Sequence, residues 1–326
     1  MPAPPRFLPP EYLTFVTSRT EEGLPFVCTL YMALIIKSVL ARAQTQFNVV
    51  VCGVAFMANH FHLLLVSQDP ETTVRFVDCV KTELAHAVNK LLGRRKRTVW
   101  CSDYDAEPII TRSCAIAKFV YLYTNPQAAN LVDTIDEYPG FSTWEMFLEE
   151  EHKFTAPWIR RFFVTELPKK AISEQDDLAL CQQLRDKSTD SHEFTLSPFA
   201  WLKCFRIPEG EIPQIKEEII RGVRAEEAKL RAERKFPCLG AEKLRRQPID
   251  LKYTPKKYGR KQWCISDDKD LRIAFINWVK AERAKARETY RRWRKGDRSA
   301  EYPPGMFPPS FPKLANLVPQ MCFQPI

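Results

Sequence analysis

The sequence predicts an α+β fold, an antiparallel sheet with helices on one face, followed by a basic and mainly helical C-terminal region. Three observations point there. Short runs of strand composition alternate with longer stretches of helical periodicity through residues 1–147. Beyond Tyr138-Pro139-Gly140 that alternation gives way to long charged stretches. The charge divides in the same way: residues 1–150 hold 13 Lys+Arg against 16 Asp+Glu, a net of −3, and residues 151–326 hold 36 against 24, a net of +12.

The elements follow in order. Tyr12 to Ser18 is a short β-rich run, Leu30 to Ala43 is apolar with helical composition, and Phe47 to Met57 is Val-rich and suits a buried strand. Ala58-Asn59 is a two-residue break before His60 to Val66, so this stretch predicts an antiparallel hairpin in which Asn59 takes the positive φ of a tight turn. Asp69-Pro70 is a helix start, an N-cap acid before a first-turn proline, and Val74, Val77, Val80, Leu84, Val88 and Leu91 then recur at helical spacing up to Gly93. After Arg94-Arg95-Lys96-Arg97 come a last strand near Glu107 to Thr111 and a helix from about Ser113 to Val132. Strand, helix, strand, strand, helix, strand, helix is ferredoxin-like in outline. Residues 150–210 are weakly periodic, Ile212 to Lys235 and Asp268 to Lys295 read as long charged helices, and Arg298 to Pro312 is Pro-rich and extended.

Composition narrows the function. With 45% hydrophobic residues in a chain of 326, the protein buries a real core and is not disordered. No run approaches the roughly 20 uncharged apolar residues of a bilayer span, and Met1 to Pro10 lacks the basic-then-apolar order of a signal peptide, so a cytoplasmic protein with no membrane partner is expected. The ten cysteines are scattered singly without a C-x-x-C pair, which suggests reduced core thiols rather than a zinc ribbon or a disulfide framework.

His60-Phe61-His62 is the sharpest chemical feature. Side chains alternate along a strand, so both imidazoles face one way and can share a divalent ion while Phe61 enters the core. An arbitrary H-x-H is more often two unrelated polar residues, and the motif alone is weak. Tyr121 and Asn125 supply a second part: four apart on a helix, they present a phenol and a carboxamide side by side. Asn125 can complete the coordination of a hard ion through its carbonyl oxygen, and Tyr121 can act as nucleophile; read alone, the two are more readily a core aromatic and a helix-ending Asn-Pro turn. Phosphodiester oxygens repel an incoming anion, so an ion that polarises the phosphate and a phenol positioned for attack are chemically matched. Lys118, one turn before Tyr121, can stabilise a phenolate or contact phosphate, or can simply be solvated. Tyr123 is a rival nucleophile, although it sits about 200° around the helix from Tyr121. Arg94, Arg95, Lys96 and Arg97 form a basic loop able to grip DNA phosphates, or a solvated one. Distal clusters add basic residues interleaved with aromatics: Lys243-Leu244-Arg245-Arg246, Lys256-Lys257-Tyr258, Arg260-Lys261 with Trp263, and Arg291 to Lys295 around Trp293.

Phe56-Met57-Ala58-Asn59-His60-Phe61-His62-Leu63-Leu64-Leu65 closely resembles the signature of the single-tyrosine HUH transposases, particularly the REP-associated tyrosine transposases. Tyr121-Leu122-Tyr123-Thr124-Asn125-Pro126-Gln127-Ala128-Ala129-Asn130-Leu131-Val132 is similar to the same family's tyrosine segment, with departures at Gln127 and at Ala129-Asn130 that do not touch the proposed chemistry. The resemblance spans roughly residues 10–147. It implies a ferredoxin-like fold, His60 and His62 as metal ligands with help from Asn125, Mg²⁺ or Mn²⁺ as the ion, and Tyr121 as a nucleophile forming a 5′-phosphotyrosine link. It also implies single-stranded or hairpin DNA as partner and a bacterial host, with the protein at the nucleoid when DNA-bound. Residues 148–326 lie outside it and are expected to be an accessory DNA-binding region. Monomer and homodimer both stay open, as does an active site formed within one chain or between two. Competing readings are a replication-initiation or plasmid-relaxation enzyme of the same chemistry, a host-recruited DNA-binding protein without catalysis, and, last, a zinc hydrolase with a distant third ligand.

Overall fold

A computed structural model describes residues 7–67, 69–101, 104–149, 152–165, 172–253 and 262–307. Its centre is a sheet of four strands, β1 (Tyr12–Arg19), β2 (Val50–Met57), β3 (His60–Ser67) and β4 (Asp105–Pro108), in the order β2-β3-β1-β4. Each neighbouring pair is antiparallel. Crossovers α1 (Leu30–Gln46) and α2 (Pro70–Leu91) make this the expected ferredoxin-like α+β arrangement.

Local chemistry sets the boundaries. The Thr29 hydroxyl accepts from Met32 N to open α1, which runs three residues past its expected end. Asp69 caps α2 through Glu71 N and Thr72 N with Pro70 in its first turn, and Gly93 at φ 61° closes the far end. The hairpin between β2 and β3 has the expected two-residue turn but not the expected backbone. Among the described residues only Glu11, Asn130 and Arg206 are non-glycines at positive φ, and Asn59 is not one of them. Its polar groups act through hydrogen bonds instead: the Asn59 carbonyl accepts from Thr20 N at 2.8 Å and Thr20 Oγ1 at 3.1 Å, tying the turn to the end of β1. The last strand begins and ends earlier than expected: it pairs with β1 from Asp105 to Pro108, Ile109 N still bonds Leu13 O, and the chain then bonds to Ile265 instead. The helix α3 (Arg112–Ala128) starts at a Thr111 cap and carries Pro126 in its last turn.

The two faces of the sheet are packed differently. Val16, Val54, Phe56, Phe61, Leu63 and Leu65 point toward α1 and α2 in one fully apolar cluster. Leu13, Phe15 and Leu64 point the other way, against Phe119 and Leu122 of α3, which is backed by Ile215, Ile219 and Val223 of α6 (Ile212–Glu233). The approach is close at two glycines. A Cβ on Gly222 would stand 2.7 Å from Val120 Cγ2 of α3, and one on Gly53 would stand 2.7 Å from Leu122 Cδ2.

Residues past 147 extend these same cores. A hairpin of β5 (Lys153–Pro157) and β6 (Ser191–Thr195), which weak periodicity concealed, packs Phe194 and Leu196 beside α1. The intervening helix α5 (Glu174–Asp186) is anchored by Asp177, whose carboxylate accepts from Leu30 N and Tyr31 N at 2.7 and 2.8 Å. The other expected long helix is α8 (Lys269–Arg294), which forms a third cluster with Phe7 and Met306. No helix among the described residues is long and apolar enough to cross a membrane.

Candidate active site

On β3, alternation does what the motif requires: Phe61 is fully buried on the α1/α2 side, and His60 and His62 lie on the opposite face, toward α3. Strand pairing supplies their neighbours. Thr17 is the cross-strand partner of His62, and Arg19 that of His60.

Each imidazole is held through Nδ1. His62 Nδ1 lies 2.9 Å from Thr17 Oγ1, and His60 Nδ1 lies 2.7 Å from Asn59 Oδ1. Asn59 Oδ1 can only accept, so His60 carries its proton on Nδ1 and offers a bare Nε2. The His62 ring stacks on Phe15 at 4.9 Å between centroids, and the two imidazoles meet edge-on at 4.9 Å. His62 is 2% exposed, and its Nε2 is a buried atom with no hydrogen-bond partner among the described residues.

The helix α3 brings the second part to the first. The Tyr121 ring meets His62 edge-on at 5.5 Å and Phe15 at 5.9 Å. Lys118 Nζ stands 4.8 Å from the centroids of both Phe15 and Tyr121. Asn125, one turn on, is buried, and its Nδ2 has no partner. Tyr121 is 42% exposed, whereas Tyr123 is fully enclosed, bonded to Thr143 Oγ1 and packed on Trp144 and Phe147. Tyr123 is a core residue and no rival nucleophile.

Burial sets the protonation states, and nearby cations refine them. Burial, reinforced by the Arg19 charge and opposed by the Asn125 carboxamide, lowers the His60 pKa to about 4. Burial, then His60, Arg19 and Lys118, hold His62 well below the ordinary histidine range. Both rings are therefore neutral at pH 7, the form that binds a metal. Tyr121 is raised by burial, while Arg19 and Asn125 pull it down and Glu107 adds to the rise. Lys118 is lowered by burial, with Glu107 and Cys114 opposing.

These residues fit a divalent ion. Two neutral imidazoles fixed from behind, an orphaned Nε2 and an adjacent carboxamide form an N,N,O donor set with carboxylates absent from it. Among the described residues no group of three His, Cys, Asp or Glu gathers that could hold a metal, so a third protein donor would be Asn125.

The structure thus brings together His60, His62, Lys118, Tyr121 and Asn125. It does not bring in Arg94, Arg95, Lys96 or Arg97, which lie in the loop after α2. That loop flanks the same end of the sheet: Glu21 N bonds Val99 O, and Thr20, tied to Asn59, bridges to Trp100. Arg97 is paired with Glu22. Of the distal clusters, Trp293 is buried with Nε1 donating to Ala300 O at 2.8 Å, so it cannot stack on a base, contrary to expectation. Lys256-Lys257-Tyr258 and Arg260-Lys261 lie outside the described residues.

Sequence reasoning missed Thr17, Arg19 and Glu107. Thr17 and Arg19 share a strand face with Phe15, which alternation shows, but only the register opposite β3 gives them a role. Glu107 enters through the pairing of β4 with β1 opposite Phe15.

No family model matches the chain, and no curated protein matches it. Among solved structures, 44% of the chain is similar to 81% of a REP-associated tyrosine transposase bound to a REP hairpin, at 13% identity and a TM-score of 0.38. A second, a transposase by assignment from Deinococcus radiodurans, is matched by 32% of this chain over 85% of its own length, at 18% identity and a TM-score of 0.26. The functional reading rests on the geometry of the site and on the two sequence motifs.

Proposed function

We propose that this chain is a metal-dependent endonuclease and strand transferase acting on single-stranded DNA near hairpins, with Tyr121 as nucleophile. One observation carries the reading. A half-exposed phenol on α3 stands edge-on to His62, the buried member of a neutral imidazole pair, whose Nε2 has no partner among the described residues.

His60 and His62, with Asn125, would hold Mg²⁺ or Mn²⁺. When bound, such an ion would polarise the scissile phosphate and offset the charge that builds on its oxygens. Asn59 and Thr17 fix the two rings, so their donor atoms do not have to be ordered when DNA arrives. Tyr121 Oη attacks phosphorus and passes its proton to solvent. The P–O3′ bond breaks, the departing 3′ oxygen takes up a proton, and a 5′-phosphotyrosine remains. Arg19 and Lys118 place positive charge beside the phenol, which favours the attacking phenolate. Reversal of the same step on a second 3′-hydroxyl rejoins strands without a nucleotide cofactor, because the bond energy is kept in the phosphotyrosine. In this reading Arg94 to Arg97 hold DNA phosphates, and residues 148–326 add DNA contacts beyond the catalytic unit of residues 1–147.

The test is a denaturing gel of labelled hairpin oligonucleotides with single-stranded flanks, incubated with the protein and Mn²⁺. A covalent adduct that needs the metal and vanishes in Tyr121→Phe is expected. An adduct that survives Tyr121→Phe overturns the assignment of the nucleophile, and tight DNA binding with no adduct under any metal overturns the reaction.

A further inference from the structure

A groove runs between the C-terminal half of α2, the basic loop that follows it, and a turn at residues 160–163 from the second half of the chain. Its volume is about 1050 Å³, at or above the upper end of the roughly 300–1,000 Å³ of a small-molecule pocket. Arg94, Arg95, Lys96 and Lys90 line one side and Arg161 the other, and among the described residues none of these five makes an ion pair. Among the described residues Asp78 is the one acidic side chain lining it. A surface that gathers cations and leaves them without counter-charges is built for an extended anion.

Two further features narrow the ligand. Phe162 lines the groove with 63% of its surface exposed, its ring held against Phe163 at 4.3 Å. Asn89, 8% exposed, donates Nδ2 to Arg97 O at 2.8 Å, while its Oδ1 is buried without a partner in the groove wall. A ring face open to solvent beside phosphate-binding cations suits an unpaired base. In a duplex the base faces are already stacked on one another and have nothing to offer Phe162.

We propose that this groove binds the unpaired part of a DNA strand, with phosphates on Arg94, Arg95, Lys96 and Arg161 and a base stacked on Phe162. The choice of DNA rests on the function proposed above; the groove itself does not include Tyr121 or the histidines. Its loop is hydrogen-bonded through Val99 to Glu21, two residues past Arg19, so a strand leaving the groove at that end passes onto the end of the sheet where His60 begins.

The experiment is fluorescence anisotropy of the full chain with EDTA present, so that no cleavage intervenes. The probes are a labelled single strand of mixed sequence and a blunt duplex of the same length. Phe162→Ala is expected to weaken single-strand binding about five-fold or more and to leave the duplex unchanged. Arg95→Ala and Arg161→Ala are each expected to reduce the slope of log K against log salt by about 0.7 on the single strand. All three side chains are exposed, and unchanged melting temperatures will show that the variants fold. Equal binding of duplex and single strand with no effect of Phe162→Ala, or unaltered salt slopes in both arginine variants, overturns the proposal. Either result leaves adduct formation by Tyr121 untouched. Conversely, groove variants that behave as expected in a protein that forms no adduct uphold the groove and sink the nuclease.

Discussion

Thr17→Val isolates the support of the proposed metal site from the proposed ligands themselves. The hydroxyl lies 2.9 Å from His62 Nδ1, both residues are buried, and valine keeps the shape of threonine without an acceptor. If Thr17 Oγ1 accepts from Nδ1–H, His62 Nε2 carries a lone pair toward the site, which agrees with its lack of a hydrogen-bond partner among the described residues. Removing the acceptor leaves a buried N–H unsatisfied, a penalty of about 1–3 kcal/mol. Without that acceptor nothing holds the proton on Nδ1, and the tautomer with the proton on Nε2, where a metal must bind, competes. Either way ion binding is opposed by an energy equivalent to about a ten- to hundred-fold loss of affinity, the range found for lost outer partners of metal-binding histidines. Titration calorimetry with Mn²⁺ at pH 7 measures this directly, and a thermal melt in EDTA measures the effect on the empty fold. Thr17→Ser keeps the hydroxyl and is expected to bind within a few-fold of wild type. The reasoning fails if Thr17→Val binds Mn²⁺ as tightly as wild type, or if Ser and Val weaken it equally, which would make Thr17 a packing residue.

Arg19→Gln removes a charge that lowers Tyr121; the alkaline limb of the rate of adduct formation should move to higher pH, and a pH–rate profile with no shift would show that Arg19 does not act on the phenol. Burial lowers His60 to about 4 and holds His62 well below the ordinary histidine range, so with an unfolded value near 6.5 the unfolded chain binds more protons below that pH. Stability of the metal-free protein is therefore full above about pH 6.5 and falls on acidification at about 1.4 kcal/mol per pH unit for each histidine. Urea unfolding at pH 6.5 and 5.0 should show that slope in wild type and its loss in His60→Gln/His62→Gln. Gly222→Ala places a methyl 2.7 Å from Val120 Cγ2 and should destabilise the fold by about 1–3 kcal/mol in urea, with recovery on adding Val120→Ala; an additive pair would mean that α3 and α6 do not meet there.

What could be read beforehand was local in the chain. The strand period put His60 and His62 on one face, the helix period put Tyr121 and Asn125 on one face and turned Tyr123 away, and capping residues marked the start of α2. What could not be read depends on pairing between distant segments. Thr17 reaches His62 across 45 residues of sequence, and Glu107 enters only through the edge pairing of β4. The turn at Asn59 was misjudged because a tight hairpin and an Asn suggest positive φ. The residue is used for its carboxamide and carbonyl instead, which hold His60 and Thr20. The hairpin of β5 and β6 stays hidden in the sequence because each strand is five residues long and buries one side chain, Ala156 or Phe194, leaving little alternation to detect.

The charges around the histidines explain why imidazoles suit this position and carboxylates would not. Arg19 lies opposite His60 on the neighbouring strand, and Lys118 influences His62 from α3. An Asp or Glu at residue 60 or 62 would add negative charge beside those cations and lower the potential met by an incoming anion. Neutral rings add no negative charge of their own, so the Lys118 charge is directed at whatever enters beside Tyr121. Glu107, felt at both Lys118 and Tyr121, limits that field without abolishing it. The balance predicts an order of binding. Before any divalent ion arrives, the site already favours a phosphate, while the cations weakly repel the ion. Once the phosphate is present, its oxygens cancel that repulsion and add ligands. Mn²⁺ affinity should therefore rise when a non-cleavable single strand is bound, and DNA affinity should rise by the same factor when Mn²⁺ is bound. Paired titrations of Tyr121→Phe, each ligand in the presence and absence of the other, measure both factors, and independent binding would show that the two ligands do not share this site.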